Sequence, residues 1–373
     1  MNLISKLYQR EVVDRIKDID WFDYSKSISP FIVELDPTAV CDLACPGCIS
    51  ADVIAEKNSF NNDRLISLTH EMIEFGVKGI ILIGGGEPLA HPKSGEVIRI
   101  CGENDVSIGI TTNGSFVHRF IDEISEFSNW TRFSMDAGSN EMFSILRPTK
   151  SGRSKFDKII SNMNLLSKTK KGKMGYSFLI QTKADGIGIE SNIKEIYNAA
   201  VIAKDSGCDY FEVKPTYEYR NGVNHALMKH EQYLMDEARE EILRLDDLED
   251  ENFSVIQAIN LEASLSGIQE IQIQEYKKCP STYLRTLVTP SGLFVCPYWR
   301  GKDKMNLGSV KENSFAEVWQ GKQRSDVMNR LNATIDCNFH CLRNATNNTI
   351  HEISKKISQG DKLDTCETFD RFI

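Results

Sequence analysis

The sequence predicts an α/β fold: a partial (β/α)6 barrel of the TIM type followed by a small C-terminal domain that carries cysteines. Three features of the 373 residues lead there. Short β-branched runs alternate with amphipathic stretches from residue 31 onward, a hairpin pattern replaces that alternation near residue 285, and most of the ten cysteines fall into two groups.

The runs "FIVEL" (31–35), "GIILI" (79–83), "VSIGIT" (106–111), "WTRFSM" (130–135), "YSFLIQ" (176–181) and "YFEV" (210–213) read as strands. Between them lie helical patterns such as "LISLTHEMIEFGV" and "IKEIYNAAVIAKDSG", the second stopped by Gly207. Strict strand–helix alternation implies parallel pairing, and in a barrel of that kind chemistry gathers in the loops at the carboxyl ends of the strands. Residues 225–275 read as charged and helical, and "LRTLVTPSGLFVCPYW" reads as a hairpin with Pro290, Ser291 and Gly292 as its turn. The expected organisation is an N-terminal helical extension (1–30), the barrel (31–274), the small domain (275–345) and a tail (346–373).

A hydrophobic fraction of 41% allows a large core, and a formal charge of −9 with no basic patch argues against nucleic acid. The first twenty residues hold no continuous apolar run of signal or membrane length, so a cytoplasmic location is expected. In a reducing compartment, clustered cysteines point to metal or redox chemistry rather than disulfides.

The first cluster, "CDLACPGCIS", places Cys41, Cys45 and Cys48 on the loop after the first strand. Three thiolates can hold three irons of a four-iron cluster and leave the fourth open for a small molecule. A zinc site would need a fourth ligand, for which His70 or His91 is available at long range. The second strand ends in "GGGEP". A carboxylate there could pair with a ligand amine while the glycines let backbone approach the ligand.

Together these residues resemble the radical S-adenosylmethionine (SAM) superfamily: Cys41, Cys45 and Cys48 match its cluster motif, and Gly85, Gly86, Glu87 and Pro88 its Gly-Gly-Glu-Pro motif. The resemblance implies a SAM-binding 4Fe-4S cluster whose open iron is chelated by SAM. It also implies reductive cleavage of SAM to methionine and a 5′-deoxyadenosyl radical, with electrons from a flavodoxin or ferredoxin-type donor. Further expected SAM contacts at strand ends are Asn113, Ser134, Asp136 and Arg147; turn capping explains Ser134 and Asp136 equally well. Gln181 and Lys214, after strands five and six, read as structural.

The second group is Cys279, Cys296, Cys337 and Cys341, four thiolates that would close a cluster or a zinc ribbon. With "NLGSVKENSFAEVW" between them, they resemble the auxiliary-cluster region called SPASM or, shortened, Twitch. The additional cysteine run of a full SPASM domain is missing here, so the resemblance implies one auxiliary 4Fe-4S cluster. Cys101, Cys208 and Cys366 receive no role.

The expected function is therefore an oxidoreductase that abstracts hydrogen from a small polar, sugar- or aminocyclitol-like substrate and oxidises an alcohol, with the auxiliary cluster accepting the electron. Two alternatives stand beside it: a maturase of a ribosomally made peptide, for which thirty N-terminal residues look too short to form a peptide-binding domain, and a non-enzymatic iron–sulfur regulator, which has no need of a SAM cradle.

Overall fold

The computed structural model describes residues 3–220, 223–268 and 274–373. Six parallel strands form the barrel wall in chain order: β1 (Ile32–Leu35), β2 (Gly79–Leu82), β3 (Ser107–Thr112), β4 (Ser128–Ser134), β5 (Lys173–Leu179) and β6 (Tyr210–Lys214). Helices pack outside them; Asn62–Phe75 is one, started by the Asn61 side chain accepting from Arg64 N and ended at Gly76 with φ +101°. Each expected strand is present to within a few residues.

Alternation along the strands sorts side chains between the helical layer and the lumen. On β6, Phe211 and Val213 are fully buried, whereas Tyr210, Glu212 and Lys214 on the other face are partly exposed. β4 likewise buries Thr131 and Phe133 and leaves Trp130, Arg132 and Ser134 on its second face. Between these strands, β5 contributes Gly175 and Ser177 in register with Arg132 and Ser134. A Cβ on Gly175 would lie 2.0 Å from the Tyr210 ring.

The sheet extends beyond the six strands at both edges. A hairpin of β7 (Tyr217–Arg220) and β8 (Val223–Leu227) follows β6, and β9 (Ser254–Gln257) then pairs with β6 in parallel. Residues 225–275 are thus not helical throughout. β9 is four residues long and mostly exposed, with no apolar alternation to announce it. At the other edge β10 (Arg285–Thr289) pairs in parallel with β1, and β11 (Gly292–Phe294) and β12 (Asn306–Gly308) follow antiparallel. The turn falls at Pro290–Ser291 as expected. The small C-terminal region is therefore built directly onto the barrel wall, giving ten strands in one sheet.

The chain ends pack against the amino ends of the strands, away from the site. Phe372 meets Trp130 edge-to-face at 5.4 Å, and Lys6 pairs with Asp370 at 2.5 Å. Residues 344–359, all but the first two expected in the tail, form a helix. Among the described residues no helix is long and apolar enough to cross a membrane.

Candidate active site and cluster sites

Cys41, Cys45 and Cys48 lie on the loop leaving β1, all partly exposed. Burial pushes the Cys41 thiol up to about 12, with Glu87 and Asp42 adding in the same direction, and burial also raises Cys45. Such thiols bind metal as thiolates, releasing their protons to solvent as they bind. Asn113 Nδ2 approaches Cys41 Sγ at 3.9 Å and donates to Asp42 at 2.9 Å, while Lys155 pairs with the other Asp42 oxygen. The cysteine loop is thus held from β3 and from residue 155.

The "GGGEP" loop folds onto the cysteine loop rather than around open space. A Cβ on Gly86 would sit 2.4 Å from the Val40 carbonyl oxygen, and one on Gly85 would sit 2.7 Å from Val53. Glu87 N donates to the same Val40 oxygen at 2.9 Å. These glycines are required by contact between the two loops, which revises the expected reason for them. The Gly85 amide donates to Asp36 at 2.6 Å, and Pro88 opens a short helical turn.

Glu87 is 2% exposed, and its carboxylate accepts from Thr112 Oγ1 at 2.6 Å, Asn113 N at 2.7 Å and Leu89 N at 3.0 Å. Burial still raises its pKa to about 7. A carboxylate so occupied joins β2 to β3. Asn113, 6% exposed, is likewise engaged within the fold.

Asp136 takes a left-handed backbone, φ +60°, directly after β4. Its carboxylate accepts from Arg147 Nε at 2.9 Å and from Leu179 N at 2.9 Å. Arg147 remains charged despite burial because the Asp136 carboxylate faces it and bonds it. Ser134, on the lumen face of β4, makes no side-chain hydrogen bond among the described residues. Of the expected SAM contacts, the Arg147 guanidinium faces Cys45 and Cys48 of the cysteine loop.

Neither histidine weighed as a zinc ligand supports that site. His91 is 2% exposed, with Nε2 at 2.9 Å from Phe60 O and Nδ1 accepting from Lys93 N at 3.2 Å; His70 lies on the exposed side of its helix.

Cys279, Cys296, Cys337 and Cys341 come together beside β10 and β11. Burial raises each thiol, and for Cys296 the charges of Cys337, Cys279 and Cys341 add to it. Asn347 organises this site: Nδ2 lies 3.4 Å from Cys279 Sγ, and Oδ1 accepts from Ser281 N at 3.0 Å. Asn347 falls in the segment expected as tail, where a lone Asn carries no signal. Among the described residues no three His, Cys, Asp or Glu side chains converge on one metal ion. A cluster does not require that convergence, because each thiolate holds a different iron. Both donor sets are all-thiol and partly buried, which fits iron–sulfur clusters. Cys366 instead lies against the N-terminal segment, its amide donating to Tyr8 O at 3.1 Å.

Two groups at this end of the barrel were not singled out in the sequence. Asp36, 1% exposed, faces Arg300 at 3.3 Å, and Arg132 on β4 meets Glu212 on β6 at 3.1 Å.

A parallel barrel thus carries a three-cysteine loop after its first strand and a glycine-rich loop after its second, a candidate iron–sulfur site at the strand carboxyl ends. Residues 35–182 match the family model of the Radical SAM superfamily. The chain is 28% identical over 185 residues to a GTP 3′,8-cyclase of Synechocystis sp., covering 48% of this chain and 52% of that protein. It is also 28% identical over 105 residues to a tungsten-containing aldehyde ferredoxin oxidoreductase cofactor-modifying protein of Pyrococcus furiosus, covering 27% and 30%. The chain thus spans about half or less of the curated relatives it matches.

Among solved structures, SuiB of Streptococcus suis bound to its precursor peptide SuiA superposes with a TM-score of 0.58 at 16% identity, covering 80% of this chain and 66% of that one. anSMEcpe with bound AdoMet and Kp18Cys peptide gives 0.56 at 16%, covering 80% and 83%. At these identities the likeness is one of fold.

Proposed function

We propose that the protein is a radical SAM enzyme acting on a small polar substrate, with an alcohol oxidised and the second cysteine set holding an auxiliary 4Fe-4S cluster. The observation that carries the SAM reading is the locking of the cysteine loop to the "GGGEP" loop through Gly86, Val40 and Glu87 N. When bound, cluster and SAM supply a one-electron cleavage that releases a 5′-deoxyadenosyl radical able to take hydrogen from an unactivated carbon, and a second cluster supplies a sink for the electron left when a carbinol becomes a carbonyl.

The chain's own residues hold and orient these groups. Cys41, Cys45 and Cys48 would hold the SAM-binding cluster, and Cys279, Cys296, Cys337 and Cys341 the auxiliary one. Asn113 fixes the loop carrying Cys41 by donating to Asp42, and Asn347 fixes Cys279. Gly85 and Gly86 present backbone beside the cysteines, and Ser134 with Arg147 would take the SAM carboxylate. Reducing surroundings suit such thiolates, so a cytoplasmic location and a flavodoxin or ferredoxin-type donor go with the reading.

The second reading is a peptide maturase, and the fold shared with SuiB and anSMEcpe, both solved with peptides, favours it. One experiment separates the two: anaerobically reconstituted, dithionite-reduced protein is incubated with SAM and candidate substrates deuterated at the reacting carbon. Deuterium in 5′-deoxyadenosine from a polyol supports the first reading. Deuterium only from a peptide replaces it with the second, and absence of any 5′-deoxyadenosine removes both.

A further inference from the structure

The lumen beyond the SAM cradle carries an unbalanced positive charge. Arg132 Nη1 donates to Glu212 Oε2 at 3.1 Å, and its Nη2 lies 3.4 Å from Thr111 Oγ1. The contact spans β5, where Gly175 is in register with Arg132 and Ser177 with Glu212. Arg132 Nε is buried without a hydrogen-bond partner. Lys214, at the carboxyl end of β6, has Glu212 as its nearest carboxylate at 3.8 Å, beyond a normal hydrogen bond.

The charges facing Lys214 are Arg132 from β4, Glu212 from β6 itself, and the Asp136–Arg147 pair from the segment after β4. In that last pair the two charges compensate each other, and Arg147 also faces Cys45 and Cys48. What remains is two cations, Arg132 and Lys214, against one carboxylate. SAM cannot supply the missing charge: its amine and sulfonium outnumber its carboxylate, so it enters with a further net positive charge. A substrate amine placed here would add to the imbalance, whereas an anionic group would relieve it.

We propose that Lys214 and Arg132 form an anion subsite that binds a carboxylate or phosphate group of the substrate, which narrows the class from neutral or amine-bearing sugars to acidic ones. The proposal rests on the small-molecule reading above. Burial and the neighbouring arginines lower Lys214 to about 8. Anion binding should accordingly be full below that pH and decline as the ammonium loses its proton above it.

The test uses reconstituted full-length protein, with and without saturating SAM, titrated calorimetrically with inorganic phosphate, malonate and glycerol. The expected result is one-to-one binding of phosphate or malonate, whichever the subsite suits, but not of glycerol. Affinity should fall about tenfold or more in Lys214→Met, as for loss of a hydrogen bond to a charged group, and be largely restored in Lys214→Arg. A folded Arg132→Gln variant should weaken the same anion. The proposal is overturned if neither anion binds, if glycerol binds as well, if Lys214→Met binds the anion unchanged, or if that variant loses SAM affinity instead. Failure of the wild-type protein to bind SAM would count against the radical SAM reading alone, because the titration without SAM still judges the subsite.

Discussion

Arg300 and Asp36 face each other at 3.3 Å across the junction between the C-terminal region and the barrel, with side chains 13% and 1% exposed. The same Asp36 oxygen accepts the Gly85 amide at 2.6 Å, so a residue four positions after Cys296 supports the loop expected to cradle SAM. Burial pushes Asp36 up to about 6 even with Arg300 opposing it. Removing one partner of a buried pair typically costs about 3–5 kcal/mol because the other charge is left uncompensated.

Arg300→Met should therefore lower the unfolding midpoint and weaken SAM binding while the iron content is unchanged. Arg300→Met combined with Asp36→Asn should recover part of the stability, since Asn keeps an acceptor for Gly85 without a buried charge. Thermal denaturation and SAM titration of the two variants check this; equal stability of Arg300→Met and wild type would refute the coupling.

Replacing Cys41, Cys45 and Cys48 by Ala should abolish 5′-deoxyadenosine release under dithionite and leave about half of roughly eight irons, as expected for two four-iron clusters. Replacing Cys279 should remove the other half and leave SAM cleavage in place. Zinc recovered in place of the second set of irons would overturn the auxiliary assignment.

Glu87→Gln tests the buried carboxylate through pH. Glu87 titrates near 7 in the fold, above its ordinary value of 4.5, because burial disfavours its charge. Its raised pKa stabilises the fold fully below about 4.5, and that contribution is lost as pH rises through 7. Across that window the metal-free wild-type protein should lose stability relative to the Gln variant, by on the order of 1 kcal/mol per pH unit. Chemical denaturation at several pH values measures the difference, and a pH-independent gap would mean the carboxylate is not buried as described.

Gly86→Ala should weaken SAM binding and destabilise the protein together, because its Cβ would meet the Val40 carbonyl at 2.4 Å and neighbouring backbone on residue 39. Backbone on both sides leaves no flexible side chain to yield. Full SAM affinity in this variant would show that the two loops are not locked.

The sequence by itself determined the six strands, because a parallel wall buried under helices writes near-continuous apolar runs that local pattern reveals. It also determined the cysteine loop and "GGGEP" as adjacent strand ends, since strand order follows chain order in such a wall. Only the tertiary structure decided what these residues do. Glu87 and Asn113 turned inward to each other, Asn347 reached Cys279, β10 joined β1, and Arg300 met Asp36, each pairing linking segments that the chain brings together only by folding. β9 and the Arg132–Lys214 pair escaped for a related reason: an exposed edge strand has no apolar period, and a single charged residue on a strand does not state which face it occupies or what stands opposite. Local periodicity reports burial against the chain's own helices, whereas the charge inside the lumen depends on which strands close around it.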